Sequence, residues 1–493
     1  MKNGKVYLVG AGPGDIQLLT VKGLECIKKA DVILYDRLVN PLLLEYAPAN
    51  TELIYCGKLP DRHIVRQEAI NDLLVEKGKE GKVVVRLKGG DPCVFGRVGE
   101  EAEALTENDI EYEIVPGITA GIAASTYAGI PVTHREHGSS FAVVAGHNKS
   151  EEGKPTIDWE SLSKGVDTIA FYMGIGNLNY ITNQLISCGR RPSTPVILIQ
   201  WGTYGRQKTL EGTLETISRK VEELNFQNPA ITLVGDIVSL REKLQWFEKK
   251  PLFGKHILLA RTGTEQGKLA PALIENGAEV FEFPRFILQS QIKEKQAEEV
   301  IEKVTQYNQI VFTSPESVNQ FFKALSYYKV DIRMIEADFY GGSVKSLRAL
   351  ETFGCIAHLV ETLTTPAKLL VIGEEQAVAK MDRLVEKWGN AFDYLVTHKI
   401  EYVSQSSTTF KLLDEDKRIN TIVFPSAESI PTLLEKIAEL YSEPLSFFQD
   451  KKVITFGEKS SDAAGKLGIN VDHKLEEPTV EALISALTVV TIG

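Results

Sequence analysis

Two hydrophobic rhythms alternate along this chain. Short apolar runs of strand length are separated by stretches in which apolar positions recur at helical spacing. Runs at residues 5–10, 31–35, 52–55 and 82–87 predict four strands with amphipathic helices between them, up to about residue 112. That is the pattern of an open, largely parallel α/β sheet. Val115-Pro116-Gly117 predicts a break. A second block, to about residue 240, carries candidate strands at 141–144, 168–172, 195–199 and 230–234, which run into Gly146, Gly174, Gly202 and Gly235. The charged, proline-containing segment 246–254 predicts a linker, after which a new α/β pattern opens at 256–261.

Two phrases in the last part of the chain echo each other. Ile310-Val311-Phe312-Thr313-Ser314-Pro315-Glu316-Ser317 is answered by Ile422-Val423-Phe424-Pro425-Ser426-Ala427-Glu428-Ser429. Gly341-Gly342-Ser343-Val344-Lys345-Ser346 is answered by Gly457-Glu458-Lys459-Ser460-Ser461. The lag of about 110 residues is domain-sized, so it predicts two similar α/β lobes and not a solenoid.

Composition narrows the class. With 493 residues, 43% hydrophobic and 25% charged, the chain has material for several globular cores. A net charge of −11 argues against general nucleic-acid binding but leaves room for a local arginine pocket that takes an anionic substrate. The five cysteines are scattered, with no C-x-x-C pair, which predicts reduced thiols, a cytoplasmic location and no metal site. Neither a signal peptide nor a membrane-spanning run is expected.

The chemistry concentrates in glycine turns at strand ends. Val6-Tyr7-Leu8-Val9 runs into Gly10-Ala11-Gly12-Pro13-Gly14-Asp15, and Arg86-Leu87-Lys88 runs into Gly89-Gly90-Asp91-Pro92. The first turn opens like a dinucleotide loop, with Asp36 placed as its ribose ligand would be. Asp15, however, stands at the third glycine position, where its charge would repel a pyrophosphate, and Pro13 removes an N–H donor. A capping role for Asp15 is expected instead. Backbone at adjacent turns, with Asp91 beside it, suits a small charged methyl donor of the sulfonium type. Thr119-Ala120 offers a further tight backbone surface, and Met173 a soft face for an aromatic ring.

Taken together, Gly10–Asp15, Tyr35-Asp36-Arg37-Leu38-Val39, Gly57-Lys58, Arg86–Pro92, Val94-Phe95-Gly96-Arg97, Gly99-Glu100-Glu101, Val115–Thr119 and Gly129–Arg135 closely resemble uroporphyrinogen-III C-methyltransferases, from residue 5 to about 240. The resemblance implies the tetrapyrrole methylase fold, two α/β subdomains at 1–113 and 114–245. It implies two methyl transfers from S-adenosyl-L-methionine to C2 and C7 of uroporphyrinogen III, giving precorrin-2. It assigns Pro13, Gly89, Gly90, Asp91, Val94, Thr119, Ala120, Met173, Gly202 and Ala230 to the donor. Asp36 and Lys58 match the proton acceptor and donor, and Arg97, Glu100, Arg135, His147 and Met173 the porphyrinogen side. Arginine forks suit a substrate bearing eight carboxylates. Homodimerisation through this half is implied as well, whereas Val98 and Cys93 depart from the usual pattern.

Residues 252–493 resemble uroporphyrinogen-III synthase, a two-lobed α/β module that closes hydroxymethylbilane with inversion of ring D. Its expected lobes are 252–287 with 402–493, and 288–401. Arg261, Ser314, Ser343, Lys345, Ser426, Lys459 and Ser460 are the candidate contacts, each with an N-cap or solvated-surface role as the alternative. Val371–Glu375 lacks the family's arginine and His398 stands near an expected tyrosine, so an active synthase and a structural half both stay open. The resulting expectation is a bifunctional enzyme of sirohaem and cobalamin synthesis. The alternatives are another tetrapyrrole or diphthine methylase, or a methylase fused to a non-catalytic ligand-binding regulator.

Overall fold

The computed structural model describes residues 4–57, 66–147, 153–264, 267–364, 368–375 and 392–488. Five parallel strands form the first sheet: β1 (Lys5–Gly10), β2 (Val32–Tyr35), β3 (Glu52–Tyr55), β4 (Val83–Lys88) and β5 (Glu111–Val115), in the order β3-β2-β4-β1-β5. Alternate side chains of β1, β2 and β4 feed opposite faces. Val9, Ile33 and Leu87 enter one core and Leu8, Leu34 and Val84 the other, which is why these strands read as unbroken apolar runs. From β1 the chain moves to β2, whereas from β4 it crosses to β5 on the other side of β1. The connections therefore part at the carboxyl ends of β1 and β4, where ligands of such sheets bind. Strand β5 was not foreseen. It is an edge strand carrying Glu111 and Glu113, which pair with Lys5 and Lys22, so it lacks an apolar run. It crosses the 113/114 boundary expected from the sequence, with Val115 still paired to Val9.

The second sheet comprises β6 (Phe141–Ala145), β7 (Thr168–Tyr172), β8 (Pro195–Gln200), β9 (Lys208–Thr213) and β10 (Ala230–Val234), ordered β6-β7-β10-β8-β9. Only β6 and β7 run parallel. Strand β9, Lys-Thr-Leu-Glu-Gly-Thr, is a polar edge that hydrophobicity could not reveal. The helix Ala120–Tyr127 starts just past β5 and buries Ala124 against Ile197, Ile199 and Leu233 of this sheet. That helix ties the two sheets together beside the glycine turns.

Beyond residue 255 come β11 (His256–Ala260) and β12 (Glu279–Phe283). They are followed by the strands of the fourth sheet: β13 (Phe286–Ser290), β14 (Gln309–Phe312), β15 (Asp338–Gly341), β16 (His358–Leu359), β17 (Leu369–Glu374) and β18 (Phe392–Tyr402). The chain then returns through β19 (Thr421–Phe424), β20 (Lys452–Phe456) and β21 (His473–Leu475). The third sheet has the order β12-β11-β19-β20-β21, all parallel; the fourth has β13-β18-β17-β14-β15-β16, parallel except for β13. The sequence echo has a structural meaning: β14 pairs with β15 in one sheet as β19 pairs with β20 in the other. Phe286 pairs with Tyr402, so residues 286–287 and 402 lie in the fourth sheet and not with the third as expected.

Two compact units result. One comprises Met1–Arg261, Gly267–Phe283 and Ser404–Gly493; the other comprises Thr262–Gln266 and Pro284–Val403. Among the described residues no helix is long and apolar enough to cross a membrane.

Phe410 is fully buried in the first unit, stacked 4.6 Å from Phe283 and tilted against Phe447 at 5.1 Å. Phe410→Ala is expected to destabilise that unit by about 3–5 kcal/mol, measured by urea unfolding.

Candidate active site

The loops that follow β1, β4 and β5 meet backbone to backbone. Gly12 N–H donates to Gly90 O at 3.2 Å and Gly90 N–H returns to Gly12 O at 2.7 Å. A Cβ on Gly117 would stand 2.3 Å from Gly90 O, and one on Gly10 would stand 2.6 Å from Gly117 N. Only hydrogen fits at either position, so these two glycines are required by close approach. Asp91 closes the crossing: its carboxylate accepts from Gly117 N at 3.0 Å and from Cys93 N at 2.7 Å. That carboxylate ties the β4 loop to the β5 loop.

Loops of the second sheet complete the rim. Tyr172, at the end of β7, shares a 2.6 Å hydrogen bond with Thr119 Oγ1, accepts from Gly121 N–H, and packs 5.2 Å from Phe95. Burial raises its phenol pKa. Of the nine non-glycine residues with positive φ among those described, Phe95, Arg97, Met173, Trp201 and Thr203 lie on these strand-end loops. For a β-branched residue such as Thr203, at φ 72°, that conformation is a true outlier. Met173 is also 51% exposed, a large apolar side chain held in solvent by a strained backbone. Gly202 faces Ala124, whose Cβ would lie 2.3 Å from a Cβ added there. Gly90 is less confined than Gly10 and Gly117: apart from its chain neighbours, a Cβ on its αL backbone would meet only Ala120 N at 3.8 Å and Thr119 Cα at 3.9 Å, ordinary van der Waals contact, so backbone here can take a donor against it.

The structure brings Pro13, Gly89, Gly90, Asp91, Thr119, Met173, Gly202 and Ala230 to strand ends or the loops beyond them, Ala120 to the start of the helix Ala120–Tyr127, and Val94 to the β4 loop. Asp15 takes the capping role expected of it, accepting from Gln17 N at 2.9 Å and from the Tyr127 hydroxyl at 2.7 Å. Arg97 and Glu100 pair with each other on an exposed helix start. Arg135 and His147 are exposed, and Lys58 lies outside the described residues.

One charged cluster was missed. Arg86 is buried and donates to Asp36 Oδ1 at 2.7 Å and to Glu101 Oε1 at 3.1 Å, while Lys88 Nζ reaches the same Glu101 oxygen at 2.6 Å. Burial pulls the Arg86 guanidinium down, but Asp36 and Glu101 more than restore it, so its pKa ends above the ordinary value. Burial, with Arg86 nearby, lowers the pKa of Lys88. Two cations inside Val83–Lys88, an otherwise apolar strand, were the available signal, since such residues are buried only when paired.

In the C-terminal half, Ser314 and Ser343 cap helices Pro315–Tyr327 and Val344–Thr352, the alternative weighed for them. Arg261 pairs with Glu282. Ser460 is a buried residue within the helix Gly457–Lys466, Lys345 and Lys459 are exposed, and Ser426 is half-buried.

Residues 5–218 match the family described as tetrapyrrole (corrin/porphyrin) methylases, and 267–485 match uroporphyrinogen-III synthase HemD. The uroporphyrinogen-III C-methyltransferase of Bacillus subtilis is 43% identical over 97% of this chain and 96% of its own length. The chain belongs to this methyltransferase family. The Porphyrin biosynthesis protein HemD of Ruminiclostridium josui is 34% identical over 99% of this chain and 98% of its own. A solved uroporphyrin-III C-methyltransferase of Thermus thermophilus, complexed with S-adenosyl homocysteine, is 38% identical and covers 48% of this chain and all of its own, with a TM-score of 0.42.

Within this family member, Glu101 is the counter-charge for two buried cations. Glu101→Ala is expected to cost about 3–5 kcal/mol, because it leaves Lys88 uncompensated and Arg86 with Asp36 alone. Thermal unfolding checks it.

Proposed function

We propose that the chain is a bifunctional tetrapyrrole enzyme. Its N-terminal half methylates C2 and C7 of uroporphyrinogen III to give precorrin-2. Its C-terminal half closes hydroxymethylbilane to uroporphyrinogen III, so one half makes what the other consumes. The observation that carries the first activity is the crossing of the Gly10, Gly90 and Gly117 loops, backbone against backbone, at the carboxyl ends where the connections of the first sheet part.

S-adenosyl-L-methionine supplies an electrophilic methyl group when bound, and Pro13, Gly89, Gly90, Asp91, Val94, Thr119, Ala120, Met173, Gly202 and Ala230 are the residues proposed to hold it. Arg97 and Arg135 are assigned to substrate carboxylates. The Arg97–Glu100 pair is 44% and 50% exposed in its side chains. A pair this exposed is worth under about 1 kcal/mol, so a carboxylate-rich substrate can replace Glu100 at little cost. Asp36 is held by Arg86 just beyond β2, and is assigned with Lys58 to moving the proton released after methylation. His147 is assigned to the porphyrinogen side. In the C-terminal half Arg261, Ser314, Ser343, Lys345, Ser426, Lys459 and Ser460 are assigned to the linear tetrapyrrole.

The reading extends to a cytoplasmic homodimer, joined through the methylase half, that acts on small-molecule tetrapyrroles and not on nucleic acid or membranes. The five unbridged cysteines support the reducing location, and the net charge of −11 supports the exclusion of nucleic acid.

Arg97→Ala is expected to abolish precorrin-2 formation in the absorbance assay while calorimetric binding of S-adenosylhomocysteine stays within about twofold. Near-normal turnover would overturn the assignment of Arg97 to substrate. For the other half, the full chain with Asp91→Ala is expected to rescue growth of a strain lacking uroporphyrinogen-III synthase. Soluble, folded protein that fails to rescue would favour a regulatory half over a catalytic one.

A further inference from the structure

The third sheet belongs to the same compact unit as the two methylase sheets, and one of its arginines reaches the methylase loops. Arg418, in the turn before β19, is buried. Its Nη2 donates to Asn40 Oδ1 at 3.1 Å and it forms an ion pair with Glu279 of β12. Asn40 in turn donates to Gly14 O at 2.8 Å. The same guanidinium lies 5.0 Å from the centre of the Tyr204 ring. Tyr204 backs directly onto Gly14, where an added Cβ would stand 2.3 Å from ring carbons, and Asp15 N–H donates to Thr203 Oγ1 at 2.9 Å.

Two loops are thus tied to each other and to one side chain from the far end of the chain. One is Gly12-Pro13-Gly14-Asp15; the other is Gly202-Thr203-Tyr204. Close packing does not brace them on every side. A cavity of about 480 Å³ borders Gly14, Asp15, Asn40, Thr203, Tyr204 and Glu279. Thr203 also sits in a strained conformation that persists only where its surroundings impose it. Polar pins must therefore supply the order that packing leaves out.

We propose that Arg418 is a positioning residue for the methyl-donor site: through Asn40 and Tyr204 it fixes the loops that carry Pro13 and Gly202. The inference rests on the donor reading above and adds that the C-terminal half sets donor affinity in the N-terminal half. Arg418 touches neither donor nor porphyrinogen. Its effect falls on donor binding and not on the chemical step.

The test is steady-state methylation by the full chain, varying donor and uroporphyrinogen III separately, with calorimetry of S-adenosylhomocysteine. Arg418→Met is expected to raise donor KM and the S-adenosylhomocysteine Kd about tenfold, the scale of one lost charge-assisted hydrogen bond, with kcat and porphyrinogen KM within about twofold. A purely structural role would lower the active fraction, and so kcat, with donor KM unmoved. That result in folded protein overturns the proposal. Should Arg418→Met fail to fold, Arg418→Lys keeps a charge beside Glu279 while withdrawing the planar fork from Asn40. The same rise in donor KM is expected of it, and an unchanged value is equally fatal. Wild-type protein that binds no S-adenosylhomocysteine would instead defeat the donor reading itself, an outcome separable from both.

Discussion

The N-terminal half depends on a steric constraint: three strand-end loops cross with no room for a side chain between them. Gly10, Gly90 and Gly117 meet through peptide atoms, and Asp91 locks the crossing by accepting from Gly117 N. Half-buried peptide groups at Gly90 and Gly117 follow from that contact, because backbone that approaches backbone so closely cannot also be covered by its own side chains. The left-handed residues around the rim, Phe95, Arg97, Met173, Trp201 and Thr203, are conformational costs carried by the rigid sheets beneath.

Under that crossing lies a second device. Arg86 and Lys88 bring positive charge into the interior of a parallel sheet, and Asp36 and Glu101 offset it. Burying charge in this way is seldom a net gain in stability. Its value is placement: Lys88 is the last residue of β4, directly before the glycine crossing, and Asp36 follows β2 two strands away from β1. The cluster holds the ends of β2 and β4 in a fixed relation beside the crevice.

Fusion of the two halves has a physical consequence as well. The third sheet packs as part of the same unit as the methylase sheets, and the contact is polar where it meets the loops: Arg418, Glu279, Asn40 and His256 form one buried network, with His256 Nδ1 3.1 Å from Glu279. Burial holds the His256 pKa down, at about 4, with Arg418 and Arg206 acting in the same direction. A neutral imidazole fits a network whose positive charge Arg418 already supplies.

Most strands were legible from the chain alone, because β1, β2, β4, β7, β8 and β10 are buried on both faces and so read as apolar runs. Edge strands β5 and β9 were not, since a strand with one solvent-facing edge and charged side chains carries no such signature. The glycine turns, the capping role of Asp15 and the paired lobes were likewise visible, each following from local conformational preference or repetition. What the sequence could not show were relations between distant residues. That Asp36 would meet Arg86, that Glu101 would serve two cations, and that Arg418 would reach Asn40 from 378 positions away were decided only when the sheets packed. Hydrophobic pattern specifies which face of each element is buried, whereas the partner of a buried charge is set by which elements the tertiary fold stacks together.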